Sequence, residues 1–210
     1  MKCLKLIFCL LYFCCSLAEA KEVQVDAQKE VDEMTGRLVT SYLEAKVDED
    51  IIAGYASALR SDGSFPDLDY VTVHEGSSYP AGSHLKRLKL MAIAYRKPGN
   101  KYYNSGRLLK QIVAGIDYWY RVRPKSGNWW FGDIGAPQDY MVPLILLKGK
   151  ISDKKLLHYS SYLQDLTGNK GHKGKNRTWV SAVTIHKGCI ENNIELIRIG
   201  IKSIASTIKI

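Results

Sequence analysis

The sequence predicts an all-α chain of antiparallel helical hairpins, and three observations predict it. Apolar residues recur at spacings of three and four from Val25 onward. The breaks between these stretches are mostly short and carry Pro, Gly, Ser or Asn. The composition, 46% apolar and 24% charged with six prolines in 210 residues, excludes a disordered or collagen-like polypeptide and suits a packed core.

The helical reading begins after a leader. Lys2 and Lys5 precede the apolar run from Leu6 to Leu17, and Ala18-Glu19-Ala20 places small residues where signal peptidase cuts. Residues 1–20 are read as a secretory signal peptide and 21–210 as one domain, secreted or periplasmic, with no membrane contact in the mature form. The run is too short to cross about 30 Å of hydrocarbon, and no later stretch is long and apolar enough to do so. Cys14 and Cys15 raise a lipid-anchored alternative, against which stand the bulky Tyr12 and Phe13. Cleavage removes Cys3, Cys9, Cys14 and Cys15 and leaves Cys189, so no internal disulfide and no paired-cysteine zinc site is expected. Cys189 lies in an apolar helical pattern and reads as a small buried hydrophobe.

The elements follow in order. Val31, Met34, Leu38, Tyr42 and Leu43 give an amphipathic helix over 26–46. Asp48 caps a second, shorter one, and Ser61-Asp62-Gly63-Ser64 stops it. Residues 67–83 hold no steady period and read as a long loop with at most one short strand. Leu85 to Tyr95 is helical and ends at Pro98-Gly99-Asn100, and Ser105 to Tyr120 is the next helix. Pro137 starts a helix that runs to Lys148 and is expected to bend at Pro143. Ser152 caps a helix through Leu163, Trp179 to Asn192 is another, and Glu195 to Ile208 is the last. That last helix carries an apolar edge of Ile197, Ile201, Ile204 and Ile208, expected to be exposed and to invite self-association.

Thirty Lys and Arg against 21 Asp and Glu leave a net charge of +9, which favours a polyanionic or acidic partner. The charge is uneven. Residues 22–73 carry twelve acids against Lys29, Arg37, Lys46 and Arg60, whereas 84–125 carry eleven bases and the single acid Asp117. The second half is therefore expected to supply a positive field, unless these are simply solvated helix faces. Secretion argues against nucleic acid as the partner.

Two segments carry candidate chemistry. Asn128-Trp129-Trp130-Phe131 falls between helices in a loop edged by Lys125, Gly127 and Gly132. Consecutive side chains in extended backbone point opposite ways, so one tryptophan is expected to pack inward and the other to face a cleft; two core anchors are the alternative. A flat indole facing a groove suits stacking on a sugar ring or a base. The second segment, residues 167–179, is glycine-rich and holds Lys170, Lys173, Lys175 and Arg177 before a helix, an anion-seeking arrangement that also reads as a flexible solvated turn. Its spacing is not that of a phosphate-binding P-loop, and Asn176-Arg177-Thr178 matches a glycosylation sequon.

Asn128-Trp129-Trp130, Asp133-Ile134-Gly135-Ala136-Pro137-Gln138, the apolar run Leu144 to Leu147, and Gly174-Lys175-Asn176-Arg177-Thr178-Trp179 together resemble the helical-domain signature of family 8 polysaccharide lyases, which include hyaluronate, chondroitin and xanthan lyases. The resemblance covers about residue 85 to the C-terminus and implies an incomplete (α/α) toroid with a cleft along one face. It also implies a carbon–oxygen lyase acting on acidic polysaccharide of the hyaluronan, chondroitin or xanthan type by β-elimination, without a cofactor or a metal. Carried over by position, Asn128, Trp129 and Trp130 become an aromatic patch gripping the sugar chain, with Arg177 beside them. Asn176 becomes the residue that contacts the uronate carboxylate, with Asn169 as alternative because Thr167-Gly168 is separated from Asn176 by an insertion.

The family's base and acid, a His and a Tyr, are expected on a segment beyond Ile210. His186 falls on the stripe of Trp179, Val183 and Ile190 and reads as a packed core histidine, and His172 has cationic neighbours that discourage the proton a base must accept. His84 and His158 show no partner signature, and His74 lies in the long loop. The expectation is weak or absent turnover by this chain alone, with a non-catalytic glycan-binding remnant as the alternative.

Overall fold

A computed structural model describes residues 26–167 and 171–208. The expected leader and the alternative site residue Asn169 lie outside the described residues. Helix α1 spans 26–43, followed by α2 (Glu49–Ala58), α3 (Gly82–Arg96) and α4 (Gly106–Val122). A π-helical turn (Phe131–Gly135) leads into α5 (Ala136–Leu147), then come α6 (Asp153–Ser160), α7 (Gly174–Glu191) and α8 (Ile194–Ala205). Among the described residues there is no strand, so the long loop stays irregular throughout.

The starts follow from short polar side chains that bond otherwise orphaned amides. Asp48 accepts from the amides of Asp50 and Ile51, Ser105 from Leu108, Ser152 from Lys155, and Asn193 from Glu195 and Leu196. Left-handed residues end two helices, Arg123 (φ 48°) after α4 and Asn192 (φ 55°) after α7. Pro143 removes one amide from the interior of α5, yet the helix continues to Leu147.

Helices α3, α5 and α7 pack in succession, with α2 and α4 against α3, α6 against α5 and α7, and α8 against α7. Their apolar faces form one core that includes Leu88, Met91, Ile112, Trp119, Tyr140, Leu144 and Ile190. Cys189 is fully buried there, as its apolar pattern predicts. The α7–α8 pair approaches closely at glycines: a Cβ on Gly188 would stand 2.8 Å from the Asn193 carbonyl oxygen and 2.9 Å from the Ile197 amide. One on Gly200 would stand 2.9 Å from the Ser181 carbonyl oxygen. Ile197 is consequently buried against α7, which corrects its place on the exposed edge, and Ile204 is partly buried, while Ile201 and Ile208 are exposed as expected.

Two buried histidines tie distant segments together. The Phe65 amide donates to the Tyr70 hydroxyl at 3.0 Å, and that oxygen lies 2.9 Å from His84 Nδ1. His84 Nε2 lies 2.9 Å from the Gly115 carbonyl, which can only accept, so Nε2 carries the proton and Nδ1 accepts from Tyr70. By the same reasoning His186 donates from Nδ1 to the Ala182 carbonyl at 2.7 Å and accepts at Nε2 from Tyr42 at 2.8 Å, joining α1 to α7. Burial pushes both imidazoles down to about 4. His186 is thus the core histidine its stripe predicts; His84 has partners the sequence did not reveal.

Part of the segregated charge is paired within the fold. Asp67 binds Arg87 through both oxygens, at 2.8 and 2.5 Å. Lys101 lies 3.9 Å from both Glu49 and Asp50, and Lys97 donates to the Ala45 carbonyl at 2.7 Å. The acidic first part thereby covers a share of the basic stretch, and the positive field expected of the second half is correspondingly reduced.

Candidate functional site

The Asn-Trp-Trp segment is fastened by Asn128. Its Nδ2 donates to the Gly76 carbonyl at 2.8 Å while its Oδ1 accepts from the Trp130 amide at 3.0 Å, and the Gly127 amide donates to the His74 carbonyl at 3.0 Å. The long loop and the tryptophan segment are stitched together here. Asn128 acts as a cap for a helical stretch that begins at residue 129, earlier than the predicted start at Pro137.

The two indoles diverge, but not because the backbone is extended. They sit on the first turn of a helix, where consecutive residues point about 100° apart. Trp129 is 53% exposed. Trp130 is half-buried and joins a small apolar cluster of Ile134, Leu166, Val180 and Trp179. The π-helical turn makes room for it, since the Ala136 amide reaches back to the Phe131 carbonyl. Gly135 lets the indole lie flat on that turn: a Cβ there would stand 2.6 Å from Trp130 Cζ3. A single methyl at position 135 therefore acts directly on the aromatic patch.

The tryptophans touch residues on either side of the first turn of α7. Trp129 stacks on His172 with centroids 5.5 Å apart and planes at 16°, and Trp130 meets Trp179 edge-to-face at 5.5 Å and 79°. Lys175 places its ammonium 5.0 Å over the Trp179 ring. Helix α7 starts at Gly174 (φ 54°), five residues before the predicted Trp179, so Asn176 and Arg177 lie on its first turn and not in a loop. No side chain caps this end, where amide groups face outward with the positive end of the helix dipole. Asn176 is half-buried on this turn, between the two residues that the tryptophans contact.

Arg177 points elsewhere, as its position one residue further round the helix requires. Its Nε donates to Ser203 Oγ on α8 at 2.9 Å, and it borders a hollow with Leu166, Ile199 and Lys202. The structure thus sets Trp129 against the residues just before α7 and Trp130 against its second turn, and holds the Arg177 side chain against α8.

A supporting contact gave no sequence signal. Asp165 pairs with Lys187 at 2.9 Å and accepts from the Thr167 amide at 2.8 Å, while the Leu166 amide donates to Thr184 Oγ1 at 3.0 Å. Burial alone would raise the Asp165 carboxyl; bonds from Thr167 and Lys187 hold it below the usual range. This clamp fixes the end of the 161–167 segment on α7, beside the Trp130 cluster. The side chains of two other histidines have their own neighbours: His74 is 3.6 Å from Asp69, and His158 packs on Tyr120 at 4.3 Å.

Residues 29–210 match the family described as polysaccharide lyase family 8, N terminal alpha-helical domain. Chondroitinase-AC of Pedobacter heparinus is 27% identical over 150 residues, which is 70% of this chain and 21% of that protein. Hyaluronate lyase HylB of Enterococcus faecalis is 30% identical over 112 residues, 48% of this chain and 11% of that protein. Xanthan lyase of a Bacillus species is 28% identical over 120 residues, 54% of this chain and 13% of that one. The chain therefore spans about a fifth or less of the length of these relatives. Among solved structures, a chondroitinase AC lyase studied with oligosaccharides superposes with a TM-score of 0.74 at 22% identity, over 82% of this chain and 26% of that one. The Streptomyces coelicolor chondroitin AC lyase in complex with chondroitin sulphate gives 0.66 at 16% identity, over 85% and 27%. The fold is accordingly an arc of the (α/α) toroid of these lyases.

Proposed function

Since the chain belongs to polysaccharide lyase family 8 through its N-terminal alpha-helical domain, we propose that it grips an acidic, uronate-containing polysaccharide of the hyaluronan, chondroitin or xanthan type. Trp129 offers an open indole face for a sugar ring, Trp130 and Trp179 wall the same region, and Asn176 directs its amide at the uronate carboxylate. The observation that carries this reading is the double contact, Trp129 on His172 and Trp130 on Trp179, which seats the aromatic pair at the start of the helix bearing Asn176. Lys175 and the outward amides of α7 add the positive potential that an acidic glycan requires. The leader-like pattern of Lys2, Lys5 and Leu6 to Leu17 supports action outside the cytoplasm.

The reaction that suits this arrangement is β-elimination. A base takes the proton beside the uronate carboxylate, the electron pair forms a carbon–carbon double bond, and the glycosidic oxygen leaves with a proton from an acid. Charge builds on the carboxylate in the process, and a neutral amide donor there stabilises it; deletion of such a donor typically costs about 2.7–4 kcal/mol. His84 and His186 are buried and hydrogen-bonded at both ring nitrogens, so neither serves as the base. The second reading, glycan binding without turnover, draws on the same observation.

The two are separated by incubating the chain with hyaluronan, chondroitin sulfate and xanthan while following unsaturated-uronate absorbance and, in parallel, affinity. We expect binding with little or no turnover. Trp129→Ala is expected to weaken binding by about 5- to 150-fold, on the scale of the roughly 1–3 kcal/mol lost when an aromatic residue stacked on a nucleobase is truncated. Unchanged affinity in that variant removes the aromatic grip from the proposal. Robust turnover would assign the base to a residue within this chain, with His172 first in line beside the site.

A further inference from the structure

Trp130 also lines a hollow of about 160 Å³ between the starts of α3 and α5, and nothing above gives it a role. Tyr79, Trp130 and Phe131 form its apolar walls, and Lys86, Gln138 and Asp139 supply polar groups. The Tyr79 and Phe131 rings lie 5.1 Å apart at 30°, and the Tyr79 hydroxyl donates to the Pro124 carbonyl at 2.8 Å, so these walls are fixed. Gly82 and Gly135 also border it and let the Tyr79 and Trp130 rings lie close against the backbone.

The polar groups differ in what already occupies them. Arg87 is taken by Asp67, and Lys89 lies 3.5 Å from Asp139, which offsets that carboxylate's charge. Lys86 is exposed and makes no ion pair among the described residues. An apolar ring-sized hollow with an uncommitted ammonium, an amide and a neutralised carboxylate matches a pyranose that carries one anionic substituent. A rigid aromatic wall takes the sugar's C–H face, Lys86 the anion, and Gln138 with Asp139 the hydroxyls. A neutral sugar would leave Lys86 unused, and an aliphatic ligand would strand all three polar groups.

We propose that this hollow is a second sugar-binding subsite, which takes one acidic monosaccharide unit of the chain gripped at Trp129 and holds its carboxylate or sulfate ester with Lys86. This rests on the glycan-binding reading above and extends it from the α7 side of Trp130 to the α3–α5 side. A subsite displaced along the chain acts only on ligands long enough to reach it, which gives the proposal a signature of its own.

The test compares size-defined hyaluronan and chondroitin sulfate oligosaccharides, from disaccharide to decasaccharide, against the full chain and its Lys86→Gln and Gln138→Ala variants, by calorimetry. Affinity should rise with length in the unaltered chain. Lys86→Gln should remove about tenfold from the long ligands, as expected for one charge-assisted hydrogen bond, and leave the short ones unchanged. Equal loss with hyaluronan and chondroitin sulfate assigns the anion to the carboxylate; a loss confined to chondroitin sulfate assigns it to the sulfate. Because Lys86 is exposed, its variant should melt with the unaltered chain. If the chain binds long oligosaccharides and Lys86→Gln binds them equally well, the subsite is overturned while the grip at Trp129 stands. If the chain binds no acidic oligosaccharide of any length, both fall together.

Discussion

Gly63→Ala is expected to destabilise the domain by about 4 kcal/mol, by joining two penalties at one position. Gly63 has φ of 90°, where an L residue pays roughly 1–2 kcal/mol, and overpacking against a closed neighbour adds roughly 1–3. The neighbour cannot yield easily, because the added Cβ would stand 2.1 Å from the Ala114 carbonyl oxygen, part of the α4 backbone. The loop between α2 and α3 must lift off α4, carrying with it Phe65, whose amide bonds Tyr70, and loosening the path to Tyr79 and Gly76 at the tryptophan segment. Equilibrium urea unfolding followed by circular dichroism measures the loss. A change below about 1 kcal/mol, within the range of an ordinary surface substitution, would show that the loop is not pinned there.

Acid is expected to act through the two buried histidines. Their folded-state values, pushed by burial to about 4, lie below the ordinary 6.5, so the unfolded chain takes up protons first. Stability is therefore undiminished above pH 6.5 and declines as the pH falls toward 4. At pH 5 the loss is about 2 kcal/mol for each histidine, or about 4 for both, from the linkage relation. His186→Phe should flatten the slope between pH 7 and 5 by about half, even if it lowers stability throughout by stranding the Tyr42 hydroxyl. Unfolding free energies at pH 7, 6 and 5 decide this, and a flat profile in the unaltered chain contradicts it. Asp165 contributes lower on the scale: its carboxyl is held below the usual range, so the clamp to Lys187 persists until stronger acid protonates it.

The helices were legible because their cores are periodic. Val31, Leu88, Ile112 and Leu144 recur with the helical repeat, and the capping residues Asp48, Ser105 and Ser152 mark starts by local chemistry alone. Where no such residue stands, the boundary was missed. Lys173 precedes α7 and offers no capping oxygen, so its first five residues read as loop. The π-helical turn was hidden for a related reason: it depends on Trp130 finding Trp179, almost fifty positions later, and on Gly135 admitting the indole. The partners of His84 also lie remote, at Tyr70 and Gly115, whereas His186 reveals itself by falling on its own helix stripe. The aromatic pair stood out in the sequence, but its inward and outward division follows from a helical backbone, a fact that the Asn128 cap and its bond to Gly76 decide.

Helix α7 is unevenly held along its length. Its distal end is locked by the glycine contact with α8, by the His186 bond to Tyr42, and by Lys148, which donates to the Cys189 carbonyl and to Asn192. Its opening turn has no side-chain cap and is held by ring contacts on either side of it and by the Arg177 bond to Ser203. Fraying should therefore run from Gly174 inward, with backbone protons near Asn176 exchanging with solvent long before those near Gly188. The helix behaves as a cantilever, with Asn176 near the less firmly held tip and Gly188 at the anchored root.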